Sequence, residues 1–204
     1  MEMLDLCSLI EDRNEFLRRL YFILVGKNYR SDRVGITRIP INDTLEVQFK
    51  LNVSDLLKDC TICVNDSLLD YLNISHKELI GQAVDNTQEM CPYLLQTLEE
   101  AIHIDIPELT DFPMYVLTNK QCTFGAGAIL YPGMKQRIEE MIGDFVVIPS
   151  SIHETILIPE SLNTPGLTEM IQEVNSTVVS DCDILSDRPY KLIEDMVLRE
   201  IIQQ

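Results

Sequence analysis

Leu45-Glu46-Val47-Gln48-Phe49-Lys50-Leu51-Asn52 alternates apolar and polar side chains without a break. Successive side chains of an extended chain point to opposite faces. Leu45, Val47, Phe49 and Leu51 therefore form one apolar face, and Glu46, Gln48, Lys50 and Asn52 a polar one. The pattern predicts a strand with one buried and one solvated face, in a sheet covered on one side. Residues 34–39 are its expected partner, joined through the turn Ile41-Asn42-Asp43, and 60–64 is a third short strand.

Upstream, Leu6, Ile10, Leu17, Leu20 and Leu24 recur at helical spacing and predict an amphipathic helix over 4–24. Downstream, Ser75-His76-Lys77-Glu78 is a capping box that opens a helix through Leu79, Ile80, Ala83 and Val84. Pro92 fits the first turn of another, from Tyr93 to about Ile102. Strands follow at 114–118 and 126–130, then a helix through Ile138, Met141 and Ile142 that ends at Gly143. Two more strands, 145–148 and 155–158, precede a helix over 167–174, and the tail from Tyr190 fits a strand pair or a helix. Strands and helices in runs, not in strict alternation, predict an α+β fold with mixed or antiparallel sheets and amphipathic helices packed on one side. The 204 residues suit one domain. The link from Asp105 to Pro113 is where two subdomains, 1–104 and a motif-bearing 113–204, would meet.

The chain carries 16 Lys and Arg against 33 Asp and Glu, a net charge of −17. Such a field repels phosphate backbones and anionic lipids. Neither nucleic acid nor membrane is an expected partner; a protein or small-molecule ligand is. Acidic Glu2 and Asp5 stand where a secretory signal has basic residues, which predicts a cytoplasmic location. Cys7, Cys60, Cys63, Cys91, Cys122 and Cys182 are then expected as free thiols. Cys60-Thr61-Ile62-Cys63 has the spacing of half a zinc site, but no second pair follows and the run reads as a strand. No metal and no cofactor are expected.

From Met114 onward several motifs occur in a fixed order: Met114-Tyr115-Val116-Leu117-Thr118-Asn119, Gly125-Ala126, Ile129-Leu130-Tyr131-Pro132-Gly133, Ile148-Pro149-Ser150-Ser151-Ile152-His153-Glu154, and Leu185-Ser186-Asp187 with Tyr190. Together with 74–87, they resemble a bacterial family known as a domain of unknown function, common in clostridial gut bacteria. The resemblance spans about 60 to 192. Members of that family usually carry an additional N-terminal region, for which no counterpart is expected in this sequence. The resemblance implies a cytoplasmic α+β domain and names no substrate or catalytic residue.

The segment richest in chemistry is Ser150-Ser151-Ile152-His153-Glu154, a polar link between two apolar runs. If the flanks are antiparallel neighbours, hydroxyl, imidazole and carboxylate gather at one edge of the sheet, where binding groups tend to sit. With Asn119 they form the candidate binding surface: Ser150, Ser151, His153, Glu154 and Asn119. Serine beside histidine also invites a nucleophile–base reading. Against it, no Gly-x-Ser-x-Gly elbow is present and residues two apart on a strand do not make the short contact a base needs.

Other patterns carry less. Phe124-Gly125-Ala126-Gly127-Ala128 lacks the third glycine and the following helix of a phosphate loop. Asp181, Asp183 and Asp187 miss the EF-hand positions. Asp43 with Glu46, Gln48 and Lys50 faintly suggests a nuclease core, for which the net charge has the wrong sign. Three readings follow. The first is a non-catalytic cytoplasmic binding module. The second is a hydrolase using Ser150 or Ser151 with His153. The third is an acidic protein engaging a basic partner, in the extreme a nucleic-acid mimic.

Overall fold

The computed structural model describes residues 9, 11–29, 35–58, 60–103 and 113–201. It is an α+β fold on two antiparallel sheets. The first part of the chain runs α1 (Arg13–Arg19), β1 (Leu20–Gly26), β2 (Arg38–Pro40), β3 (Leu45–Asn52), β4 (Thr61–Cys63), α2 (Asp66–Leu72) and α3 (His76–Met90). It continues through β5 (Tyr93–Thr97), α4 (Leu98–Ile102), β6 (Tyr115–Asn119), a 3-10 helix (Gly125–Leu130) and α5 (Met134–Ile142). Then come β7 (Phe145–Ser151), β8 (Glu154–Pro159), a 3-10 turn (Glu160–Leu162), α6 (Leu167–Thr177), β9 (Tyr190–Glu194) and β10 (Val197–Glu200). In the first sheet β3 pairs with β1 on one side and with β2 and β4 on the other. The second orders its strands β10-β9-β7-β8-β6-β5. One apolar core joins them, with Phe22, Leu24, Val47 and Phe49 from the first sheet and Leu117, Val147, Leu157 and Tyr190 from the second, and a smaller cluster of Val146, Ile148, Ile158, Leu167 and Ile171 packs α6 on the second sheet.

Several sequence expectations are redrawn. The helical pattern over 4–24 stops at Arg19. Asp12 caps α1 by accepting from the N–H of Asn14 at 2.9 Å, but the following run Leu20-Tyr21-Phe22-Ile23-Leu24-Val25 is a strand, in register from Leu20 opposite Leu51 to Gly26 opposite Leu45. An uninterrupted apolar run suits a strand covered on both faces as well as a buried helix, and here the β3 ladder decides. Leu6, Ile10, Val34 and the start of the 105–113 link lie outside the described residues.

Ser75 caps α3 by accepting from the Glu78 N–H at 3.2 Å, while the Glu78 carboxylate pairs with Arg13 and not with the cap. The helix expected from Tyr93 is instead β5, registered on β6 from Tyr93 opposite Asn119 to Thr97 opposite Tyr115. Only then does a Thr97–Glu100 capping box start the short α4. The two sheets therefore divide between α3 and β5, upstream of the 105–113 link. Residues 126–130 form a 3-10 helix where a strand was expected. Its small residues lie close against β1, where a Cβ on Gly127 would stand 3.2 Å from the Phe22 ring. The tail from Tyr190 resolves as the β9–β10 pair.

The polar face of β3 is not solvated. Glu46, Gln48 and Lys50 are 6%, 1% and 3% exposed. Buried polar groups need partners, and these have them. Arg38 pairs with Glu46, Gln48 donates to Glu46 at 3.0 Å and to the Tyr29 carbonyl at 3.3 Å, and the Lys50 ammonium sits 4.1 Å from the centre of the Phe124 ring. Alternation marked the two faces correctly but not what covers the second.

Another buried charge, Arg19, ties α1 to the first sheet. It donates to Glu15 at 2.7 Å, to the Asn52 carbonyl at 3.0 Å and to Asp55 at 2.7 Å. Hydrogen bonds from Arg18 and Arg19 lower the Glu15 carboxyl from 4.5 to about 2, and Arg19 lowers Asp55 from 3.8 to about 2. A carboxylate lowered by folding adds stability above its unfolded value, and that stability drains as pH falls toward the folded value. The melting temperature is therefore expected to drop as pH falls from about 4.5 to about 2, the window these shifts define. Glu15→Gln should flatten that drop, and calorimetry across the window checks it.

Candidate functional site

β7 and β8 form a hairpin whose last paired residues are Ser151 and Glu154, so Ile152 and His153 are its turn. Two-residue hairpin loops normally need a left-handed residue, usually glycine or asparagine. Neither Ile152 nor His153 has positive φ. The tip is instead held from outside the hairpin. The Ile152 N–H donates to the Asp183 carbonyl at 2.8 Å, and the Ile152 carbonyl accepts from the Ala126 N–H at 3.3 Å. The Thr118 hydroxyl donates to the His153 carbonyl at 2.7 Å. The Phe124 N–H donates to His153 Nδ1 at 3.2 Å.

A cleft of about 1180 Å³ opens beside this tip. One wall is Phe124, Ile152 and His153; a second is the end of β1 from Gly26 to Tyr29; a third is the loop from Asp181 to Asp187. Each wall has a structural reason. A Cβ on Gly26 would lie 2.7 Å from the Leu185 carbonyl, so only glycine lets β1 approach that loop. The loop is anchored from α6, where buried Asn175 donates to the Ser186 carbonyl at 2.9 Å. Tyr190 is fully buried, with its hydroxyl shared between Ser186 at 2.6 Å and Thr44 at 2.5 Å. Burial pushes the Tyr190 phenol above its ordinary pKa.

The five candidate residues separate into distinct places. His153 lines the cleft, its Nε2 3.6 Å from a carboxylate oxygen of Asp183. Ser151 is buried, and its hydroxyl accepts from the backbone N–H of His153 at 3.1 Å. Asn119 is buried behind the wall and closes the 119–123 loop, donating to the Thr123 carbonyl at 2.8 Å and accepting from the Thr123 N–H at 3.2 Å. Ser150 lies in the irregular stretch of β7 and Glu154 begins β8; both are half-buried and away from the cleft lining. His153 Nδ1 faces Phe124 and Nε2 faces Asp183, so neither ring nitrogen faces a serine. Asp181, Asp183 and Asp187, which the sequence raised only as an incomplete calcium pattern, share the cleft. Gly26, Tyr29 and Asn175 were missed. Their only local signals are a glycine ending an apolar run and a polar residue on a helix. Among the described residues no three His, Cys, Asp or Glu side chains gather to hold a metal. Cys60, Cys63, Cys91, Cys122 and Cys182 are free thiols.

Fold and site together define an antiparallel α+β protein with a cleft walled by separated loops. The chain belongs to the family of unknown function DUF5688, whose model matches residues 8–192. The match begins well upstream of the motifs and takes in the whole first sheet. No curated protein and no solved structure matches the chain.

Gly125 is the tightest point of the tip. A Cβ there would come within 2.6 Å of both the Asn119 nitrogen and the His153 carbonyl oxygen, and closer still to the Thr118 hydroxyl. Gly125→Ala should cost about 1–3 kcal/mol, as overpacking does. In α3, a Cβ on Gly81 meets nothing within 4 Å, so Gly81→Ala should gain about 0.5–1 kcal/mol from helix propensity. Urea unfolding of the two variants checks both signs.

Proposed function

We propose that this chain is a non-catalytic, cytoplasmic binding module whose ligand sits in the cleft beside the β7–β8 tip. The observation that carries this is convergence. Three walls built from segments far apart in sequence, at 26–29, at 124 with 152–153, and at 181–187, enclose one concavity of about 1180 Å³. Ligand sites are typically concave, largely preformed and few per protein. Among the described lining residues Asp43, Asp181, Asp183 and Asp187 stand against Lys27, so the rim favours a ligand carrying positive charge. That charge supports the reading of an acidic protein with a basic partner better than a mimic of nucleic acid, because the carboxylates surround a cavity. A hydrolase using Ser150 or Ser151 with His153 has less support, since a base must reach its nucleophile and His153 faces other groups.

The test is protein-observed NMR of the full chain with a panel of small amines, carboxylates and neutral fragments. Shifts are expected at the amides of Asn28, His153, Asp183 and Ser186, with the amines binding most tightly. Ser176→Trp, an exposed α6 position on the rim, should abolish them while leaving the fold intact. Fragments that bind elsewhere, or bind the variant equally, would overturn the reading.

A further inference from the structure

We infer that His153 is a proton-operated clasp on the cleft, closed when its imidazole is neutral and released when it is charged. The consequence for a ligand rests on the binding reading above; the clasp itself rests on the geometry of one ring.

His153 Nδ1 accepts the Phe124 N–H at 3.2 Å. An accepting Nδ1 carries no proton, so the neutral ring holds its proton on Nε2. Nε2 faces the Asp183 carboxylate at 3.6 Å, beyond hydrogen-bond length but well within Coulombic reach. A second proton has only one place to go. Added at Nδ1, it sets a ring N–H against the Phe124 N–H, two donors and no acceptor. The bond to Phe124 is lost. The attraction of the new charge to Asp183 grows at the same moment. The ring is half-exposed.

Phe124 is where this matters. Its backbone is left-handed, with φ 52, as is that of Cys122, with φ 51. A bulky side chain in that region is held there only by its surroundings. Its N–H bond to His153 is one such hold. Its ring is another: it lies against the His153 ring at 5.7 Å, against Tyr29 at 6.4 Å and under the Lys50 ammonium. Releasing the amide lets the segment that carries Phe124 leave its strained conformation and withdraw one wall of the cleft.

The charged groups around His153 are consistent with that direction. Asp183 faces the ring from the 181–187 loop, Lys50 stands behind Phe124 from β3, and Asp43, Asp181, Asp187 and Lys27 line the rest of the cleft. An imidazolium in the wall repels the positively charged ligand that the rim favours. Binding is therefore strongest with His153 neutral.

The experiment is an NMR titration of the labelled full chain between about pH 8 and pH 5, the range over which imidazoles change charge. At the alkaline end His153 Nδ1 should resonate as an unprotonated ring nitrogen. On acidification the Phe124 amide should move with the same midpoint as the His153 ring. The amine fragments should bind several-fold more weakly at the acid end, with that midpoint. In His153→Asn, whose side-chain carbonyl keeps an acceptor without titrating, the Phe124 amide and the fragment affinity should not follow that midpoint. A proton on Nδ1 at pH 8, a Phe124 amide that ignores the ring, or fragment affinity unchanged across the range would each overturn the clasp. If Phe124 follows the ring but no fragment enters the cleft at any pH, the clasp stands and the binding reading falls.

Discussion

Apart from the bond of the His153 N–H to the Ser151 hydroxyl, the turn Ile152-His153 is closed by bonds that come from outside its own hairpin. A two-residue loop without a left-handed residue does not match the twist of the strands it joins. Left alone, such a hairpin splays. Here the Ile152 amide and carbonyl, the His153 carbonyl and the His153 ring each bond to a different residue of the 118–126 and 181–187 segments. Those segments are fixed in return. The stretches around 118, 125, 152 and 185 meet at this tip or at the loop beside it.

The cleft follows from the same arrangement. A hairpin tip that must reach the Asp183 carbonyl on one side and Phe124 on the other keeps those two segments apart by its own width. Gly26 brings the end of β1 against Leu185, and Tyr190 links Thr44, just before β3, to Ser186 of the loop. The concavity is left between three fixed walls. Below Phe124 the polar face of β3, with Lys50, Gln48 and Glu46, is buried and partnered, not open to water. That buried layer gives the aromatic wall a cationic floor.

Much of the fold was legible in the sequence because local rules decided it. The alternation of Leu45–Asn52 gave β3, Ser75 marked the start of α3, and the apolar runs flanking 149–154 gave the hairpin. What misled was tertiary context. Leu20–Gly26 has helix-compatible spacing until β3 pairs with it, and Tyr93–Thr97 becomes a strand because β6 offers an edge. Of the candidate site, His153 was visible as an imidazole in a polar link, and the hairpin placed it on an accessible rim. Ser151 and Asn119 were visible as polar residues, but their bonds to nearby backbone, which make them supports and not lining, depend on a turn that no propensity describes. Gly26 and Asn175 act through contacts more than 10 residues away in sequence, beyond any local pattern.

Native-state hydrogen exchange of the Ile152 and Ala126 amides tests the central claim most directly. Both lie in irregular backbone, a turn and a short 3-10 helix. If the tip is the knot that joins the two loops to the sheet, they exchange as slowly as the buried Leu157 amide of β8 and open only with the whole sheet, with the same dependence on denaturant. Fast exchange at Ile152 and Ala126 that ignores denaturant, beside a protected Leu157, would mean that the tip frays by itself and holds nothing.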